Sequence, residues 1–225
     1  MTRKSCLNTD AGAFGTPLHV AAEHGHVECI EILCRAGANP NFVAEWGGPA
    51  LFNAAKNGHA DCIRKLLEFG ANVNATDYSQ TALHWATFGG NPECIEILCR
   101  AGALIDARDG DGETPLHWAA ENLRADCIKK LLEFGADVEV VNFHGKTALQ
   151  VVINIIQAEE EQYNARCAWN GISPEKIAEK SWDRMLISLQ VFAQHYFSNG
   201  VKISAALRSK MEQVARGEPI YSWLF

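Results

Sequence analysis

Long apolar runs are missing from this chain. Nowhere do 18 consecutive apolar residues occur, so no membrane partner is expected of it. The opening MTRKSCLNTDAG carries basic residues with no apolar stretch behind them, which does not fit a secretory leader and points to a cytosolic or nuclear chain. Walker, GxSxG, HExxH and GxGxxG patterns are all missing, so phosphate cradles, nucleophile elbows, zinc hydrolases and dinucleotide folds have nothing to stand on. The expectation is a non-enzyme without cofactors. No CxxC or HxxxH pair occurs either, and a metal site is not expected. Basic charge is short as well. Residues 1–149 hold 12 Lys and Arg against 19 Asp and Glu, while residues 150–225 hold 8 of each, so the formal charge of −7 lies wholly on the first two thirds. Nucleic acid is excluded on that ground, because phosphate contacts need basic stripes.

The chain does have enough material for a core: 225 residues, 48% hydrophobic and 21% charged, a balance that excludes disorder. It also repeats itself. GTPLHVAA, GPALFNAA, QTALHWAT, ETPLHWAA and KTALQVVI recur with their second residues at 16, 49, 81, 114 and 147, and CIEILCRAGA alternates with CI(R/K)KLLEFGA between them. Each unit of about 33 residues predicts two short helices and a turn. Thr114 is placed to cap the first helix through its hydroxyl, Pro115 sits at the first helical position, and Leu116, Ala119 and Ala120 form a narrow apolar stripe. Gly25 and Gly58 break the first helix. Ile128, Leu131 and Leu132 face the second helix inward, with Gly135 as its stop. One pair cannot bury both faces, so neighbours must stack.

These residues resemble the ankyrin-repeat family, whose TPLH signature stands at Thr16 to His19 and Thr114 to His117. The resemblance covers about residues 10 to 150, with four full helix pairs and the start of a fifth. It implies an all-α solenoid with β-hairpin tips, here an array over 1–150 with a non-repeat helical C-terminal extension over 151–225. It departs in two places: Pro49-Ala50-Leu51-Phe52 replaces TPLH, and the turn before Thr81 is one residue short and lacks its usual Gly. In the family the TPLH histidine bonds backbone between repeats, and here it recurs in register at His19, His84 and His117, unlike a general base.

The cysteines share that logic. Cys29, Cys62, Cys94 and Cys127 hold one slot of the second helix, and Cys34 and Cys99 another, so they read as small buried hydrophobes and reduced thiols. Only Cys6 and Cys167 fall outside the register. The acid run from Asp106 to Thr114 imitates a calcium loop, but a loop begun at Asp109 would need Gly and Glu where Thr114 and Ala120 stand. It reads instead as a solvated acidic turn, with Gly110 and Gly112 supplying positive φ.

What remains is surface, and in such arrays the tips and first helices form a concave face that binds protein. The candidate partner-binding residues are Trp46, Tyr78, Arg108, Asp109, Asp111 and Phe143 at tips, and Trp85, Phe88 and Trp118 on first helices, with Glu23, Lys56 and Glu121 in Phe88's register. Tyr and Trp favour binding hot spots, though Trp85 and Trp118 read equally well as wedges between repeats. A basic segment of a protein partner would complement the acidic tip around Asp109. The resemblance further implies Asn74 as a hydroxylation acceptor. Past Thr147 the sequence predicts a long helix to about Gly171, a second from Ser173 to Asn199 with an apolar stripe through Trp182, Leu189 and Phe192, and a third over about 204–216. That tail reads as a cap on the last repeat, or as a docking element for a second copy or another subunit. Ankyrin proteins that recruit ubiquitin ligases carry a box with a Leu and a Cys at set spacing; no such Cys follows Leu189, which places capping ahead of recruitment. The terminal Trp223 and Phe225 could also enter a peptide groove.

Overall fold

The computed structural model describes residues 7–8, 15–44, 47–170, 182–200, 208–209 and 211–212. Trp46, Cys6, Trp223 and Phe225 lie outside these, as does most of the expected helix over 204–216.

Helices come in pairs: α1 (Pro17–Glu23) with α2 (Val27–Arg35), α3 (Ala50–Lys56) with α4 (Ala60–Glu68), α5 (Ala82–Gly89) with α6 (Pro92–Arg100), and α7 (Pro115–Glu121) with α8 (Ala125–Glu133). A long α9 (Ala148–Asn170) and α10 (Trp182–Asn199) follow. The first helices of the pairs, α1, α3, α5, α7 and α9, pack side by side in one layer, and the second helices, α2, α4, α6, α8 and α10, in another. So α10 takes the second-helix place of a fifth pair, although its sequence has left the repeat. It does so by burying Met185, Leu189, Phe192, Ala193 and Tyr196.

The local chemistry explains the pairing. In α1, α5 and α7 the N-cap threonine and the third helical residue, a histidine, lock together: the Thr16, Thr81 and Thr114 amides donate to Nδ1 of His19, His84 and His117 at 3.2, 3.2 and 3.3 Å, and each hydroxyl lies 2.8 or 2.9 Å from the same nitrogen. An amide can only donate, so Nδ1 is the acceptor and Nε2 carries the proton. That proton goes to the carbonyl of the next tip, Gly48, Glu113 or Lys146, at 3.1, 3.2 and 3.0 Å. The histidines are therefore buried couplings between repeats. In α3 the Phe52 that replaces this histidine is buried instead, and its ring lies where a side chain on Gly48 would have to go.

The turn inside each pair needs a left-handed residue. Gly25 and Gly58 have φ of 74° and 77°, and a Cβ on Gly58 would meet Asn91 Oδ1 at 2.6 Å, so close stacking on the next pair also requires glycine there.

Among the described residues the tips close through single antiparallel bridges, Val43 with Pro49, Asp77 with Gln80 and Val141 with Thr147, because each tip turns back before a ladder can form. One expectation is corrected. Cys29 is exposed, whereas Cys62, Cys94 and Cys127 are buried; the later three face a preceding second helix, and α2 has none before it among the described residues. No helix among the described residues is long and apolar enough to cross a membrane.

Candidate partner-binding face

Because the first helices lie side by side, residues one repeat apart form rows across their open face. One row runs Val20, Asn53, Trp85, Trp118 and Val151; the next runs Glu23, Lys56, Phe88, Glu121 and Asn154. Within a helix the two rows are three residues apart, so their side chains are neighbours. The centre of this lattice is aromatic. Trp85 meets Phe88 at 5.9 Å and Trp118 at 5.8 Å, and Phe88 meets Trp118 at 6.2 Å, all edge-to-face. The cluster therefore straddles α5 and α7. Phe88 is 42% exposed, and the two tryptophans are half-buried. Between wedge and open surface, Trp85 and Trp118 are both: they bridge repeats while leaving part of each ring uncovered.

Trp118 is fixed from beneath. Its indole Nε1 donates to Asp109 Oδ2 at 2.9 Å, and the His84 ring stands edge-on at 5.3 Å. The same aspartate builds its tip, with Oδ1 accepting the Asp111 and Glu113 amides at 3.0 and 2.8 Å. The solvated acidic turn is corrected here: Asp109 is only 8% exposed, since a carboxylate with three donors around it gains more by facing inward. Gly112 has a φ of 73°, whereas Gly110 is not left-handed. In the next tip Asn142 does the same work, its Oδ1 accepting the His144 and Lys146 amides at 3.0 Å each, and its Nδ2 donating to Glu113 Oε1 at 2.9 Å. Sequence reasoning passed over Glu113 and Asn142; the register of Asn142 with Asp109, 33 residues apart, was the signal.

The other candidates separate into two groups. Arg108, Asp111 and Phe143 zip the third tip to the fourth: the Phe143 amide donates to the Asp111 carbonyl at 3.0 Å, Arg108 Nε donates to the Gly112 carbonyl at 3.2 Å and its Nη2 to the Val141 carbonyl, and the guanidinium lies 5.9 Å from the Phe143 ring centre. The Phe143 side chain stays 71% exposed. Tyr78 stands apart on the shortened second tip, 86% exposed.

Charge around the cluster is uneven. Lys56 Nζ sits 5.2 Å from the Trp85 ring centre and 5.9 Å from that of Phe88. On the other side, burial first, then the neighbouring Glu113, Asp109 and Asp111 charges, push the Glu121 carboxyl above its ordinary range. Burial holds the His84 imidazole below its ordinary value, against the raising effects of the Glu113 carbonyl and Asp109. The buried thiols are also pushed up by burial, Cys62 and Cys127 to about 11 and Cys94 to about 12. Such thiols are poor nucleophiles.

Asn74 lies elsewhere, on the loop that follows α4. Its Nδ2 donates to the Gly102 carbonyl at 3.1 Å, and its Oδ1 accepts the Leu104 amide at 2.8 Å. Asn41 makes the same pair of bonds, to the Gly70 carbonyl and from the Asn72 amide. Asn74 is thus a clamp between repeats. Among the described residues no group of three His, Cys, Asp or Glu could hold a metal ion.

Comparison with known proteins agrees with this architecture. Family models described as ankyrin repeats match residues 18–109 and 98–152. Over 99 residues the chain is 52% identical to ankyrin repeat and SOCS box protein 3 of Bos taurus, covering 43% of this chain and 19% of that protein. It is 48% identical over 99 residues to ankyrin repeat and SOCS box protein 10 of Mus musculus, covering 44% and 21%, and 43% identical over 89 residues to the E3 ubiquitin-protein ligase XBAT32 of Arabidopsis thaliana, covering 39% and 18%. The chain's matched stretch spans about a fifth of the length of these relatives.

Proposed function

Since the chain belongs to the ankyrin-repeat family, we propose that it is a non-enzymatic protein-interaction module that holds a protein partner on the open face of its first helices. One observation carries the reading: three aromatic rings from two repeats converge on that face with Phe88 at their crown, where a partner can complete their burial. Large aromatics in such positions dominate interface energies. The partner carries a basic segment, which the excess of acid on the repeats favours. Recruitment to a ubiquitin ligase is not part of this reading, because the stretch matched to the ligase-named XBAT32 covers 39% of this chain and 18% of that protein.

The test is affinity capture with wild type beside Phe88→Asp, after equal melting has been confirmed. Phe88 is exposed enough to change without unfolding the helix. The expected result is a partner retained by wild type and lost by the variant. If every captured protein survives the substitution, the open face is not the working surface; the next target is then α10, where Ile187 is 48% exposed and a recruiting or self-associating surface would lie.

A further inference from the structure

The occupant of the aromatic cluster can be specified further, on the premise that the open face is the binding surface. Lys56, Phe88 and Glu121 are consecutive in one row of the first-helix lattice, so Phe88 has a cation on one side and a carboxylate on the other. Trp85 and Trp118, in the adjacent row, supply further ring faces within 6.2 Å of Phe88. Lys56 Nζ already lies over two of these rings, which shows that the site accepts an alkylammonium. Yet among the described residues Lys56 makes no ion pair, and its side chain is exposed. Its hold is therefore weak, the size of an exposed cation–π contact. Glu121 likewise has no cation bound to it among the described residues, and it stands with Glu113 and Asp111 as mutually repelling neighbours. A second cation placed between the rings and Glu121 would satisfy both at once.

We propose that Phe88, Trp85 and Trp118 form a seat for a lysine or arginine side chain from a basic segment of the protein partner, with Glu121 as its counter-ion and Lys56 as the resident cation that it displaces. Lys56 then acts as a built-in competitor. Neutralising it opens the seat, and doing so matters only while the rings are present.

The probe is acetyl-hexalysine amide, compared with the same peptide carrying an acetyl group on every lysine. Binding is followed by the indole N–H signals of Trp85 and Trp118 in solution NMR of the full chain. The lysine peptide is expected to shift both signals and the acetylated one neither. Phe88→Leu and Glu121→Gln should each weaken binding about two- to five-fold, and Lys56→Gln should strengthen it by a similar factor, as one exposed contact of this kind implies. In a Phe88→Leu background the gain from Lys56→Gln should shrink toward nothing. If that gain persists in full, only net charge has changed, and the seat is refuted. Unchanged affinity in Phe88→Leu refutes it too, as does weaker binding in Lys56→Gln. Equal binding of the acetylated peptide rejects a cation seat but leaves the open face as an apolar docking surface. If neither peptide shifts the indoles, the cation seat fails, while the Phe88→Asp capture result decides the wider reading independently.

Discussion

At the scale of single residues, chemistry that looks catalytic on paper serves the scaffold. A histidine near acids and a cysteine could be a base and a nucleophile, but His84 has both ring nitrogens committed, one to Thr81 and one to the Glu113 carbonyl. Protonation would place a hydrogen on Nδ1, where the Thr81 amide already donates. The imidazole is accordingly held below its ordinary value of 6.5, with burial the largest cause. A depressed folded value means that its stabilisation is present above about pH 6.5 and is lost as pH falls from there through the folded value. Melting of wild type should drop between pH 7 and pH 5 by more than that of His84→Asn, and equal slopes would remove this assignment. Asp109 makes a second case. Asp109→Ala strands the Trp118 indole N–H and two tip amides, and should lower stability by about 1–3 kcal/mol in denaturant titration with no partner present. A residue that only touched a partner would leave the midpoint unmoved.

At the scale of elements, the second tip shows what one missing residue does. The other tips have room for a glycine-assisted turn, whereas here Asp77 and Gln80 exchange two backbone bonds at 3.1 and 2.9 Å around a two-residue loop. Such a loop demands left-handed geometry at both central positions, and Tyr78 and Ser79 adopt it with φ of 46° and 65°. Neither residue type favours it. Ser79→Gly should therefore raise stability by about 1 kcal/mol, seen as a higher melting temperature; a fall would show that the Ser79 side chain has a partner of greater worth. The loop also leaves Tyr78 projecting from the array. The twofold alternation of second helices has a visible result too: Glu31 and Glu96 on one kind reach Lys65 and Lys130 on the other at 3.9 and 3.3 Å, while Arg64 reaches Glu93 at 2.8 Å. The two lysine pairs are half-buried and the arginine pair is exposed; partly solvated ion pairs of this kind contribute little individually, so their use is in register rather than strength.

At the scale of the molecule, stability is shared between neighbours, because each pair has an apolar face only its neighbours can cover. The last such face, on α7 and α8, is met by α9 and α10. Phe192 is fully buried there. Phe192→Ala should cost about 3–5 kcal/mol and raise hydrogen exchange first in α8 and α9, with α1 to α4 least affected. Uniform loss along the array would mean that the stack unfolds as one unit and does not fray from this end.

The sequence by itself determined the helix pairs, their stacking and the structural role of the histidines, because a 33-residue period, TPLH at fixed places and alternating helix cores are local and repeated. It also placed Trp85, Phe88 and Trp118 on first helices, since that needs only register. Only the tertiary structure decided that these three rings meet, that Lys56 lies over two of them, and that Asp109 turns inward to hold Trp118. Those facts depend on the offset between neighbouring repeats, which no single repeat encodes. The same limit explains Cys29, whose slot matches three buried cysteines but whose burial depends on a neighbour, and α10, which joined the second-helix layer without carrying the repeat sequence, through apolar residues spaced to fit the face that α8 and α9 left open.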